Sequence, residues 1–415
     1  MFNYLEREIN KEIWRNKAML EKEIQGILDS NSLLDMANRY TIMEKKRENL
    51  YLGRCPFHFQ DTSTFLVDTS LQEFHCIECG RKGNAITFAE YCNMTFPQIM
   101  GFFKIEKPAM DIVKRNIFYG IYNEAAKYYY LSMKNTEKGY NIAYQYFHKE
   151  RGISDNIINK FGLGFADRRG LYNHLKKAGY KDDIIFESGL CIKSENGSKY
   201  DYFRSRVMIP IIDAAGHICG FGGRTTGDAK PKYINSSESI IFDKSRILFG
   251  LNFAKESSRA GFICCEGYMD TISLHQYGFD NAVASLGTAF TIDHATILKN
   301  YTDIIWLAYD SDEAGVNATL KNIELLREVG INAKVINMLP YKDPDEFLKN
   351  LGSDEFEKRI SEAKDGICFE IDYLYNQYKN KINTFKKEVT KKLLTVIRNT
   401  NDINKYVVYV NNYLR

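Results

Sequence analysis

The stretch that decides the fold opens as ICCEGYMD (Ile263–Asp270), continues through IIWLAYDSDEAG (Ile304–Gly315) and closes on KDPDEF (Lys342–Phe347). It carries three acidic clusters in order: Glu266 with Asp270, Asp310 with Asp312, and Asp343 with Asp345. The first two each end an apolar run of the kind that builds a buried strand. Carboxylates at the C-terminal ends of parallel strands gather along one edge of the sheet, where open α/β folds bind ligands. Grouped carboxylates repel one another unless cations lie between them, and all-oxygen ligand sets suit hard ions such as Mg²⁺ or Mn²⁺. Two such ions align an attacking and a leaving oxygen for phosphoryl transfer. The competing reading makes each acid a helix or turn cap. It accounts for any one cluster, but poorly for the ordered set.

Upstream, GRCPFH (Gly53–His58) is followed after seventeen residues by CIECG (Cys76–Gly80). Cys55 and His58 form one close pair, and Cys76 and Cys79 the other. Two such pairs joined by a strand-rich segment close a tetrahedron around one structural zinc, with four protein ligands and no open position. A disulfide is the alternative. A histidine in the ligand pattern and the lack of a signal peptide speak against it. His75 stands beside Cys76, but its spacing is worse than that of His58, so it reads as structural. Phe65 and Val67, and then Phe74–Cys76, read as short strands.

Between these stretches lie DYFRSRVMIPIID (Asp201–Asp213) and HICGFGGRTTGDAKPKYINSSES (His217–Ser239), which read as strands with glycine turns. Arg204, Arg206, Arg224, Lys230, Lys232, Tyr233, Lys244 and Arg246 are interleaved with glycines and aromatics. Glycines let a nucleic-acid backbone approach, and Arg and Lys neutralise phosphates. Residues 201–251 hold seven Lys/Arg against five Asp/Glu, so composition alone equally describes a solvated basic surface.

The motifs, taken together, resemble known families. EG-x-x-D followed by D-x-D resembles the Toprim domain over about residues 259–350, with Glu266 matching its glutamate and Asp310 and Asp312 its D-x-D pair. The run Cys55–Phe88 resembles the N-terminal zinc-binding domain of bacterial DNA primases. FR-x-R…GFGGR…PKY-N-S…F-K resembles the basic subdomain of the DnaG-type primase core, and AYQYFHKERGIS resembles that family's Y-L-x-x-RG-[IL] helix. The resemblance implies a template-dependent RNA polymerase, a nucleotidyltransferase that makes short RNA primers on single-stranded DNA from ribonucleoside triphosphates. It implies Glu266 as general base or hydroxyl-positioning group, with Glu266, Asp310, Asp312, Asp343 and Asp345 around catalytic Mg²⁺ or Mn²⁺ and Asp270 in support. Arg204, Arg206, Arg224, Lys232, Tyr233 and Lys244 would grip template or nucleotide phosphates. A replicative helicase is the further partner it implies. The runner-up is a non-catalytic zinc/Toprim adaptor that binds single-stranded DNA; a Toprim nuclease or topoisomerase ranks third.

Two departures stand out. The family's D-G-D-x-AG is D-S-D-E-AG here, with Ser311 and Glu313. Residues 366–415 hold nine Lys/Arg and four Asp/Glu in a helical pattern, too short for the whole helicase-docking domain of the family. No G-x-x-x-x-G-K-[ST] run marks a fused motor.

Composition agrees with this reading. Hydrophobic residues make up 44% of 415, and the net charge of +3 fits a local grip on one strand better than a coat of nucleic acid. With a mean hydropathy of −0.37, no eighteen-residue apolar run and nine cysteines, a membrane span is not expected and a reducing cytoplasm is. The expected fold is multidomain α/β. A helical extension (1–35) precedes a small β zinc ribbon (36–105) and a linker (106–116). A mixed α+β basic subdomain (117–255), an α/β Toprim subdomain (256–350) and a C-terminal helical segment (351–415) follow. Residues 117–190 look helical, in FYGIYNEAAKYYYLSM and then AYQYFHKERGIS, with Ser154 as an N-cap before DNIINKF.

Overall fold

Alternating buried side chains on short strands organise the first part of the computed structural model, which describes residues 33–58, 62–92, 107–227, 230–287, 289–396 and 403–414. The chain divides into two compact units, Met1–Ile117 and Phe118–Arg415. In the first, helix α1 (Leu33–Ala37) precedes a five-stranded antiparallel sheet in sequential order, β1 (Glu44–Lys45), β2 (Leu50–Arg54), β3 (Ser63–Asp68), β4 (Glu73–Cys76) and β5 (Lys82–Gly83). Helix α2 (Ala85–Tyr91) follows. Phe65, Val67, Phe74 and Phe88 are almost wholly buried, and each such side chain contributes about 1.5–3 kcal/mol. So small a core is the kind that needs a metal to hold it. The extension 1–35 lies outside the described residues up to Ser32; Leu33–Asp35 begin α1.

The expected linker 106–116 is regular structure over most of its length, and the border of the first compact unit falls just after it, at Ile117. From Lys107 the chain is helical, in α3 (Lys107–Asn135). Pro108 stands in the first turn, where the backbone N–H has no helical partner to lose, so here the proline starts a helix instead of breaking one.

Within the second unit, residues 117–190 are helical with one exception. Gly164–Ala166 form β6, three buried residues paired antiparallel to β9. A Cβ on Gly164 would lie 2.6 Å from the Tyr129 backbone, so the glycine lets α3 lie directly on this strand. Strands β7 (Cys191–Lys193) and β8 (Lys199–Asp201) pair as a hairpin. Then β9 (Arg206–Ile212), β10 (Ile218–Arg224) and β11 (Tyr233–Asn235) complete a four-stranded sheet in the order β11-β10-β9-β6. Ser154 occupies the N-cap position of α4 (Asp155–Phe161), but its side chain makes no capping bond; α5 (Leu171–Lys177) and α6 (Asp182–Glu187) follow before the hairpin.

The decisive stretch folds as anticipated. Strands β12 (Phe262–Cys265), β13 (Ala282–Ala284), β14 (Ile304–Leu307) and β15 (Asn332–Val335) are parallel, in the order β13-β12-β14-β15, with β16 (Lys364–Asp365) antiparallel at one edge. Cys264, Ile305 and Leu307 pack with Leu298 and Ile323 on one face, and Ile263, Cys265 and Ala308 with Leu274 and Phe347 on the other. Burial on both faces is why these strands read as continuous apolar runs. Helices α7 (Tyr268–Gln276), α8 (Ile292–Lys299), α9 (Glu313–Glu328) and α10 (Pro344–Ser361) follow the strands, with α10 broken at Gly352 (φ 77°), close to the expected boundary at 350. Helices α11 (Gly366–Tyr378), α12 (Ile382–Val396) and α13 (Ile403–Asn411) share their own core, around Ile371, Phe385 and Val389. Among the described residues no helix is long and apolar enough to cross a membrane.

Candidate functional site

The hairpin turns of the first unit bring Cys55, His58, Cys76 and Cys79 together, with ligand atoms all within 4.8 Å of one another. All nine cysteines are free of disulfides. A zinc tetrahedron with Zn–S bonds near 2.3 Å has sulfur–sulfur edges of about 3.8 Å; Cys55 Sγ and Cys79 Sγ are 3.9 Å apart. Neither ring nitrogen of His58 has a hydrogen-bond partner, although both are buried. Burial would raise the Cys76 thiol, but N–H donation from Cys79 and the nearby Thr64 hydroxyl outweigh it and bring the thiol down to about 7. Burial pushes Cys55 up to about 12. The donor set therefore fits one zinc ion, whose charge would hold both groups as thiolates. Arg81 ties the two knuckles together by donating to the Phe57 carbonyl (2.8 Å) and lying over the Tyr91 ring. His75 is exposed and, adjacent to Cys76 on β4, faces away from the quartet.

The second site is the acidic edge of the parallel sheet. Glu266 follows β12 and Asp310 lies three residues past β14, on neighbouring strands. The Asp310 N–H donates to Glu266 Oε1 at 3.1 Å. Gly315 permits this approach: a Cβ there would lie 2.1 Å from the Asp310 carbonyl oxygen and 2.9 Å from Glu266 Oε1. Asp312 and Asp343 are also helix caps, accepting from Gly315 N–H (3.0 Å) and Glu346 N–H (2.8 Å). The capping reading is therefore correct for these two, and capping aims each carboxylate at the shared edge. Burial, then the charge of Asp310, raises the Glu266 carboxyl above its usual range. Burial raises Asp343 as well, and Asp270 strongly, with Asp343, Asp310, Asp345 and Glu266 all adding to the latter. Mutual elevation of this kind marks carboxylates gathered without enough positive charge, and an all-oxygen set of this kind fits a hard divalent cation. Asp345 differs. It is 7% exposed, and its Oδ2 accepts from Lys349 Nζ (2.8 Å) and Arg151 Nη1 (3.1 Å).

Sequence reasoning did not single out Arg151, Tyr146 or Lys342. Arg151 ends a π-helical segment (Tyr146–Glu150), where its N–H donates to the Tyr146 carbonyl five residues back (3.0 Å). Five residues on a regular α-helix would point about 140° apart. The wider turn lets Arg151 Nε reach Tyr146 Oη (2.7 Å). Arg224 then lies over the Tyr146 ring at 4.5 Å and the Tyr233 ring at 5.8 Å, with its Nε buried and unpartnered. A continuous line thus runs from Asp345 through Arg151 and Tyr146 to Arg224 and Tyr233. The available signal was the ERG motif at the end of an aromatic helix.

Two expectations for the basic sheet fail. Arg206 is 8% exposed, and its guanidinium donates to the carbonyls of Gly223, Pro231 and Lys232 at 3.0–3.1 Å. It clamps the segment carrying Lys232 and has no face free for phosphate. The glycines of GFGG do not open the backbone to nucleic acid either. A Cβ on Gly220, Gly222 or Gly223 would meet the rings of Phe242, Tyr268 or Phe203 at 2.6–2.9 Å, so these glycines seat aromatic side chains on β10. Lys232 is exposed at the end of the clamped segment. Arg204 lies over Tyr200 (5.0 Å) and Lys244 over Phe242 (5.9 Å).

Known proteins share this arrangement. Family models match over residues 19–114 (CHC2 zinc finger), 128–255 (DNA primase catalytic core, N-terminal domain) and 263–348 (Toprim-like). The DNA primase of Clostridium acetobutylicum is 37% identical over 402 residues, which cover 93% of this chain and 65% of that protein. The DNA primase of Staphylococcus epidermidis is 31% identical, covering 93% of this chain and 67% of its own length. The chain thus spans about two thirds of these relatives. A DnaG primase catalytic domain solved bound to single-stranded DNA is 30% identical, with a TM-score of 0.63 over 72% of this chain and 98% of that one. With a zinc-binding ribbon, a basic sheet and a Toprim-like divalent-metal edge in one order, the chain belongs to the bacterial DnaG-type DNA primase family.

Proposed function

We propose that the protein is a DNA primase: it binds single-stranded DNA and joins ribonucleoside triphosphates into a short RNA primer. The observation that carries this reading is the junction of Glu266 and Asp310 at adjacent parallel strand ends, with Asp345 of the same acidic cluster linked to Arg224 through Arg151 and Tyr146. In the reaction a 3′-hydroxyl oxygen attacks the α-phosphorus. The bond between that phosphorus and the bridging oxygen to the β-phosphate breaks, and pyrophosphate leaves. Glu266, raised in pKa and fixed through one oxygen by the Asp310 N–H, receives or directs the hydroxyl proton. Asp310, Asp312 and Asp343 would hold Mg²⁺ or Mn²⁺, with Asp270 behind them and Asp345 held nearby by Arg151 and Lys349. When bound, the ions supply positive charge to the attacking and leaving oxygens. Arg224, with Lys232 and Tyr233 beside it, holds phosphates, its guanidinium plane oriented by two tyrosine rings. The ribbon, with zinc on Cys55, His58, Cys76 and Cys79, meets the template. A reducing cytoplasm suits nine free cysteines. A replicative helicase is the further partner that family membership suggests, to be tested by co-sedimentation.

The test is template-dependent incorporation of labelled ribonucleotides on single-stranded DNA, with and without Mg²⁺ or Mn²⁺. Glu266→Gln and Asp310→Ala are expected to abolish synthesis while leaving template affinity nearly intact. Wild-type protein that binds the strand but incorporates nothing under either ion would make it a non-catalytic adaptor.

A further inference from the structure

The acidic edge carries a cation of its own. Lys342 Nζ lies 3.0 Å from Asp310 Oδ2 and 3.5 Å from Asp312 Oδ2, bridging the two aspartates of D-S-D. The backbone beneath it is fastened from the same motif. The Ser311 N–H donates to the Lys342 carbonyl (2.8 Å), and Ser311 Oγ donates to the Tyr341 carbonyl (2.8 Å). From the other side, the Lys342 N–H donates to Glu346 Oε2 (2.9 Å). Ser311 stands where the motif D-G-D has glycine, which would supply the N–H but not the hydroxyl. The residue between the two aspartates therefore helps to set the turn whose ammonium covers them. The Lys342 side chain is 58% exposed, so its ammonium can leave for solvent without unpacking a core.

We propose that Lys342 is a tethered counter-cation that competes with a divalent ion for Asp310 and Asp312, so that this chain needs more divalent ion than it would without the lysine. The inference rests on the reading that these aspartates hold metal. Two physical effects act together. The ammonium must be displaced from oxygens that the ion needs, and its charge, still tethered nearby, opposes a second cation. The ammonium is 58% exposed and the Asp312 side chain 49%, although Asp310 is only 16% exposed, so most of the ion pair faces solvent and the effect is expected to be about two- to fivefold in affinity.

The experiment is a Mn²⁺ titration of the full zinc-loaded chain at fixed ionic strength, read by loss of free-ion EPR signal and by calorimetry. Lys342→Ala and Lys342→Gln are expected to bind Mn²⁺ about two- to fivefold more tightly than wild type. Ser311→Gly is expected to shift affinity the same way by less, because the turn loosens while the lysine remains. Unchanged zinc content and circular dichroism confirm that each variant folds. Equal or weaker Mn²⁺ binding by both Lys342 variants overturns the proposal, leaving the metal reading intact. Wild-type Mn²⁺ binding that Asp310→Asn leaves unaltered overturns both.

Discussion

Arg151 and Asp345 are 194 residues apart in sequence, yet Arg151 Nη1 donates to Asp345 Oδ2 at 3.1 Å. This contact joins the helical part that carries Tyr146 to the acidic edge, and Arg151 also fixes the Tyr146 hydroxyl. Arg151→Met is expected to leave the nearly buried Asp345 with Lys349 alone and to destabilise the protein by about 3 kcal/mol. Urea denaturation measures the loss. Primer synthesis should fall further than stability does, because Arg224 loses its oriented tyrosine. A variant as stable and as active as wild type would remove Arg151 from the line.

Freshly purified protein is expected to contain one zinc per chain by elemental analysis. Cys76→Ser should lose the ion and unfold the first unit, since that unit's small core does not sustain it alone. The second unit has separate cores and should keep its melting transition. Zinc-free wild-type protein, or a Cys76→Ser variant that retains the ion, would contradict the ligand assignment.

Arg206 and Arg224 should separate stability from binding. Arg206→Ala removes a buried guanidinium from three carbonyls and is expected to cost about 2–3 kcal/mol of stability. Arg224→Ala should fold normally but weaken nucleotide or template binding by about 1–3 kcal/mol. If the lost contact is to a strand phosphate, the slope of log K against log salt should fall by about 0.7. Thermal melts and salt-dependent titrations of both variants decide it; the reverse pattern would exchange their roles.

Acid should destabilise the protein partly through His275. Burial first, then the neighbouring Lys160, lowers its pKa to about 4 from an ordinary 6.5, and the ring lies within hydrogen-bond reach of Lys160 Nζ (3.1 Å) and the Ala282 carbonyl (3.1 Å). The unfolded chain binds this proton more readily than the folded one. The stability is therefore fully present above about pH 6.5 and is lost as pH falls toward 4, by up to about 3 kcal/mol. Subtracting the stability curve of His275→Gln from that of wild type isolates the effect. A flat difference between pH 4 and 7 would show that His275 does not titrate with folding.

The order and chemistry of the parts were legible from the sequence because each rests on local spacing. Cys55 to Cys79 carried the ribbon, since two short knuckles need few residues to define. ICCEGYMD and IIWLAYDSDEAG carried the parallel sheet, since strands buried on both faces read as unbroken apolar runs ending in acid. Two local features escaped the local pattern: Pro108 suggested an irregular stretch, although in a first turn a proline starts a helix, and Gly164–Ala166 is too short for its period to be seen. What sequence could not decide was which charges were already spent. Arg206 and Arg224 are both arginines among glycines and aromatics, yet one is saturated by carbonyls of distant segments and the other is left between two rings. GFGG makes room for Phe242, Tyr268 and Phe203 because those rings arrive from elsewhere in the chain. The pairing of Arg151 with Asp345 and the seating of Lys342 on Asp310 and Asp312 also exist only once the strands have set the edge. Hydrogen bonds and ion pairs form over about 3 Å, and which groups come that close is a property of tertiary packing.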